Sequence, residues 1–174
     1  MLFVSGLVAV MAAIAIPQFL TGLDRSRAWA AARYLAGRMN AARVQAVLRS
    51  SHVALRFVED RSGISFQTFV DDNQNGVRTA DILAAVDRPL DAPTQLRERF
   101  PGVDIALAPE LGTDAVRIGL SGLLSFSPLG TATPGSIYVR GRDGTQLAVR
   151  VLGVTGRTRV LRYVPYTGEW VDSF

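Results

Sequence analysis

Arg157-Thr158-Arg159, entered through Thr155-Gly156, places two guanidinium groups two residues apart near the end of the chain. In an extended strand, residues two apart share a face. Arg157 and Arg159 therefore project together, while Thr158 and Val160 point the other way. Guanidinium groups about 7 Å apart suit adjacent phosphates along a nucleic-acid backbone. Arg150 and Arg162 are candidates to extend the patch. The plainer alternative is a solvated strand face, with Gly156 serving a turn. Binding through such a patch would be independent of base sequence and would fall steeply with salt.

A second candidate is Asp71-Asp72-Asn73-Gln74-Asn75-Gly76. Asp71, Asn73, Asn75 and Gly76 match positions one, three, five and six of a calcium loop. Position twelve is Ile82, where a bidentate glutamate is needed, and Asp81 falls one residue short. A hairpin turn with positive φ at Asn75-Gly76 accounts for the same residues, so calcium remains the weaker reading. No other cofactor is indicated. His52 is the single histidine, with no motif placing Ser or Asp partners around it. Cysteine is absent, which removes thiolate metal sites and disulfides. Gly130-Thr131-Ala132-Thr133-Pro134-Gly135 lacks the Gly-Lys-Ser/Thr ending of a P-loop. No catalytic constellation assembles, and the chain reads as a non-enzyme.

These groups must be carried by a scaffold, and its period changes once. From Ser26 to Ser51 the pattern is helical, with Leu35, Met39, Ala42 and Ala46 on one stripe and Arg33, Arg38, Asn40 and Arg49 mostly off it. After Ser51 the period is two. Residues 52–58 and 64–70 read as strands around a turn at 60–63. Further strands are expected at 103–108, 115–119, 123–127, 136–140, 146–152 and 158–164. Residues 82–86 form an apolar run, and 87–102 read as loop with one helical turn. Gly and Pro punctuate the strands at the spacing of a small antiparallel sheet or sandwich. The fold class is α+β: a long N-terminal helix packed on antiparallel sheet.

Residues 2–23 carry no charge. About 20 such residues in a helix cover a hydrocarbon core of about 30 Å, and a lone segment in lipid must be helical. The expected organisation is a transmembrane or filament-core segment over 1–23, an amphipathic continuation over 24–51, and a β-rich globular domain over 52–174. A basic n-region is missing, so a retained anchor fits better than a cleaved signal peptide. Pro17 removes one backbone bond and should kink or loosen the helix. All the basic residues are arginine, and the net charge of +4 is too modest to imply a nucleic-acid partner by itself.

The apolar run closing in Ala15-Ile16-Pro17-Gln18-Phe19 resembles the type IV pilin class. Residues 69–76, Phe126-Ser127-Pro128-Leu129-Gly130 and Thr155-Gly156-Arg157-Thr158-Arg159 are similar to landmarks of the GspH/FimT family of minor pseudopilins and minor pilins. The resemblance implies a subunit that assembles through its first helix into the type II secretion pseudopilus or a type IV pilus. Gly6, Ala9, Ala12, Ala13 and Ala15, with Pro17, would form the close-packing surface of that helix. The implied partners are other pilin-like subunits, the inner-membrane assembly machinery and the membrane itself. The implied location is the bacterial inner membrane, single-pass, with a periplasmic domain. Class members also carry a basic leader and a glutamate at the fifth mature position. The expectation is that both are encoded upstream of Met1. A second expectation comes from FimT-like minor pilins, in which a similar GRxR motif binds extracellular DNA during transformation.

Overall fold

The computed structural model describes the backbone over residues 2–119 and 121–172, and the side chains from Thr21 onward. The first element, α1 (Leu2–Arg49), is a single helix of 48 residues, about 70 Å long at 1.5 Å per residue. Its helical assignment runs unbroken through Pro17. The side chains of Gly6, Ala9, Ala12, Ala13, Ala15 and Pro17 lie outside the described residues. Among the described residues, no helix is long and apolar enough to cross a membrane. Residues 2–20 of the expected spanning segment are outside that statement, because their side chains are not described.

The second half of α1 is the spine of the core. Ala28, Ala31, Ala32, Leu35, Met39, Ala42 and Ala46 are all at most 2% exposed. They recur at helical spacing on one face, which includes the whole stripe expected from the sequence. Four of the first five to recur, counting from the foot, are small or unbranched, so the helix axis can approach the sheets closely. Arg38, at the edge of the stripe, ties α1 to the sheet. Its guanidinium pairs with Asp91 and donates to Thr68 Oγ1 at 3.1 Å. Asp91 in turn accepts from the Thr68 backbone N–H and hydroxyl, both at 2.8 Å.

Among the described residues eleven strands follow: β1 (Val53–Asp60), β2 (Gly63–Val70), β3 (Arg88–Pro89), β4 (Thr94–Gln95), β5 (Val103–Ile105), β6 (Val116–Ile118), β7 (Leu123–Phe126), β8 (Gly135–Gly141), β9 (Gln146–Val151), β10 (Thr158–Val164) and β11 (Glu169–Asp172). Short helices α2 (Thr79–Leu83) and α3 (Leu96–Arg99) lie between β2 and β5. The first sheet has the order β3-β2-β1-β7, with β4 also on β2. The second has the order β11-β10-β9-β8-β5, with β6 also on β8. All pairings are antiparallel. One cluster joins Leu35 and Met39 of α1 to Leu55 and Phe66 of the first sheet and Ile137 and Val149 of the second. The two sheets and the helix therefore share a single core.

Several expected strands shorten or gain company. The run expected at 103–108 keeps strand register over Val103–Ile105 and one further bond, from the Ala106 N–H to the Tyr138 carbonyl at 3.0 Å, before the Gln146 side chain takes over. That buried side chain donates to the carbonyls of Ala106 (3.0 Å) and Val139 (3.1 Å) and accepts from the Ala108 N–H (2.9 Å). The apolar run at 82–86 closes α2, which ends at Leu83, and a turn follows. The 87–102 segment holds α3, and two of its pieces, β3 and β4, add to β2. β11 was not expected; it pairs with the end of β10.

Candidate functional site

The arginine motif begins where β9 hands over to β10. Val151 pairs with Thr158 and Arg150 with Arg159. Arg150 and Arg159 thus stand directly opposite each other on one face. Like charges so placed repel, and each has a neutralising or polar neighbour. Arg159 Nη1 donates to Asp172 Oδ2 on β11 at 3.2 Å, and Arg150 Nε donates to Ser136 Oγ on β8 at 3.2 Å. Arg157 is exposed and its guanidinium has no ion pair among the described residues. Arg162 does not extend this patch. It is opposite Leu147 and alternates onto the face of Val160 and Val149, because it lies three positions from Arg159 and strand period is two. The face shared by Arg150 and Arg159 also carries aromatic rings. Trp170 lies 5.2 Å from Tyr138 and 5.3 Å from Tyr163, and the Arg117 guanidinium stands 5.0 Å over Tyr138.

Helix α1 completes this region from the other side. Asn40, Arg43, Arg157, Thr158 and Arg159 line a cleft of about 350 Å³. Arg43 Nε donates to the Gly130 carbonyl at 3.1 Å. Gly156 lies beneath the same guanidinium with φ +59°, and a Cβ added there would stand 2.4 Å from the Gly130 oxygen and 3.0 Å from Arg43 Cδ and Nε. Only glycine suits that backbone conformation and that gap. The 126–130 and 155–159 motifs, widely separated in the chain, are therefore clamped together by one helical arginine. Around the clamp, Leu129 and Val154 are 92% and 87% exposed, and Val44, Val47 and Leu48 of α1 are also exposed. Arg43 had no signal in the sequence beyond its place next to the apolar stripe.

The 71–76 segment forms a tight turn rather than a two-residue hairpin, since it leads into α2. Positive φ falls at Gln74 (+62°) and Gly76 (+85°), not at Asn75. Asp71 Oδ2 accepts from the Gly76 N–H at 2.7 Å, and Asn73 Oδ1 accepts from the Asn75 N–H at 3.2 Å. His52 Nδ1 is 3.5 Å from Asp71 Oδ2, so the lone histidine braces the junction of α1 with β1. Arg88 donates to Asp72 from Nε and from Nη2, the latter at 2.9 Å. That hydrogen bond, followed by the guanidinium's charge, holds the Asp72 carboxyl below its ordinary value and raises Arg88. Asp71 Oδ2 and Asn73 Oδ1 are thus engaged in holding the turn, to which Asn75 contributes its backbone N–H. Among the described residues, no three of His, Cys, Asp and Glu converge as a metal site would require.

A family model for type II transport protein GspH matches residues 31–156. The chain belongs to the GspH family. The match starts in the buried half of α1 and ends at Gly156, so it contains the Arg43–Gly130–Gly156 clamp and stops just before Arg157 and Arg159. No curated protein and no solved structure matches the chain. GspH membership assigns it to type II transport, as a pseudopilin-like structural protein rather than a member of an enzyme family.

Proposed function

We propose that this GspH-family chain is a minor pseudopilin that assembles through α1 into the type II secretion pseudopilus. The observation that carries the reading is the continuity of α1. One helix runs from an uncharged segment, residues 2–23, into the fully buried stripe that begins at Ala28. The N-terminal half of that helix is the uncharged one. In a bilayer that half sits in lipid; in a filament it sits among equivalent helices. Passage between the two keeps its apolar surface from water. Gly6, Ala9, Ala12, Ala13 and Ala15 would allow close approach of neighbouring helices. The domain would face the periplasm from a single-pass inner-membrane anchor, and the assembly machinery of that membrane would extract it. The exposed apolar residues around the clamp, Leu129 and Val154 foremost, offer a second surface for a neighbouring subunit.

The test is fractionation together with complementation. The chain is expected in the membrane fraction, resistant to alkaline carbonate, and able to restore secretion to a strain lacking it. Ala12→Arg places a charge in the middle of the segment and should abolish both. Retention of secretion by that variant, or a freely soluble wild-type chain, would reject the reading.

A second reading draws on the arginines. Arg157 without an ion pair, beside the facing Arg150 and Arg159, favours a surface for extracellular DNA like that of FimT-like minor pilins. Asp172 opposes it by neutralising Arg159. In a mobility-shift assay the double variant Arg157→Ala/Arg159→Ala should lose binding, and the wild-type complex should weaken sharply with salt. Equal binding by both proteins would end this reading.

A further inference from the structure

The foot of the globular domain is a surface that neither assembly through α1 nor the arginine clamp explains. The uncharged segment of α1 ends at Leu23, and Asp24, Arg25 and Arg27 follow. Beside this point the β8–β9 turn and the β10–β11 turn descend. With Arg25, Trp29 and Arg162 they enclose a cleft of about 450 Å³. Its chemistry is aromatic and cationic. The Arg25 side chain is 70% exposed, although Asp143 lies 3.9 Å away. Asp143 itself is turned inward, accepting from the Thr145 N–H (3.2 Å) and hydroxyl (2.6 Å). Arg162 is exposed, with no ion pair among the described residues. At the tip of the β10–β11 turn, Tyr166 is 99% exposed. A large ring held wholly in water at the apex of a turn contributes nothing to the core.

Height along α1 gives this cleft its meaning. Arg25 and Trp29 are two and six residues beyond Leu23, a rise of about 3 and 9 Å. The headgroup layer on each side of a bilayer is about 5–8 Å deep. If residues 2–23 fill the hydrocarbon, Arg25 lies within the headgroup layer and Trp29 starts at its outer edge, from which helical side chains lean back toward the N-terminus; Tyr166 lines the same cleft. Arginine attracts anionic lipid surfaces, and Trp and Tyr partition to that interface.

We infer that this foot docks on anionic phospholipid headgroups, with Arg25 and Arg162 on the phosphates and Trp29 and Tyr166 seated in the interface. The inference rests on the membrane-anchor reading of residues 2–23. Docking would fix the rotation and tilt of the domain above the bilayer before assembly, and extraction into a filament would release it. The occupant is the bilayer surface, because the cleft is continuous with the segment that enters it.

The chain has no cysteine, so Thr167→Cys gives one spin-label site that leaves Tyr166 in place. Leu129→Cys gives a control about 27 Å further along the helix, beside Arg43. The full-length chain is reconstituted into vesicles of phosphatidylethanolamine with phosphatidylglycerol, and separately into phosphatidylcholine. In anionic vesicles the label at 167 should be shielded from a water-soluble nickel chelate relative to the label at 129. Shielding should weaken in phosphatidylcholine. Arg25→Gln and Arg162→Gln should each lower the docked-to-undocked ratio about fivefold. A chain that floats with vesicles while position 167 stays as open as 129 overturns this inference alone. A chain that does not float at all overturns the anchor, and the inference with it.

Discussion

Replacing Gly156 with alanine tests the clamp that joins the two loops to α1. Two costs add. A non-glycine residue held at φ +59° costs about 1 kcal/mol. The new Cβ, 2.4 Å from the Gly130 oxygen, collides with backbone rather than with a flexible tip. The loops must part, and the 3.1 Å hydrogen bond from Arg43 is lost or lengthened, at about 2 kcal/mol for a charged donor. The sum is about 3 kcal/mol, or a fall in Tm of roughly 6–12 °C for a domain of this size. Gly76→Ala is the matched control, because Gly76 also has positive φ but no atom within 4 Å of an added Cβ. It should fall by roughly 2–4 °C. Thermal unfolding of the full chain in detergent, followed by the fluorescence of Trp29 and Trp170, reads both. In an Arg43→Ala background the excess cost of Gly156→Ala should shrink toward that of the control. Equal shifts for the two glycine variants in the wild-type background would refute the clamp.

Leu35→Ala removes a fully buried side chain from the centre of the α1 stripe and should destabilise by about 2–5 kcal/mol in urea titration. Arg38→Met leaves Asp91 and the Thr68 hydroxyl without their helical partner, which should cost about 1–3 kcal/mol in the same titration. The Asp72 carboxyl is held below its ordinary 3.8 by the Arg88 hydrogen bond, so it contributes stability above that value. The contribution fades as pH falls from about 3.8 through the lower folded value. Carboxyl carbon NMR titration should show Asp72 returning toward 3.8 in Arg88→Ala.

The strands that alternate over six or more residues were readable from the chain: β1, β2, β8, β9 and β10 all lie where period two placed them. The helix stripe was readable for the same reason, since burial imposes its period on residue type. β3, β4 and β11 were not, because two to four residues are too few to show a period. The Arg38–Asp91 and Arg43–Gly130 contacts were hidden for another reason. Their partners lie far along the chain, and one sequence holds no record of which arginine meets which loop. The motifs at 126–130 and 155–159 could be seen separately, but not that a helical guanidinium holds them together. Arg162 falls on the opposite face from Arg159 because the spacing between them is odd.

The outer strands of both sheets bear on the filament proposed above. The first sheet is bordered by β3 and β4, two residues each, and by β7. The second is bordered by β11, four residues, and by β5 and β6, which are split by the 106–115 excursion. Among the described residues no border presents a long row of open amides, so a like molecule pressed alongside would find little to zip onto. Were monomers brought shoulder to shoulder by their helices, as proposed, their sheets would be kept from fusing, and the stack would remain one that can be taken apart again.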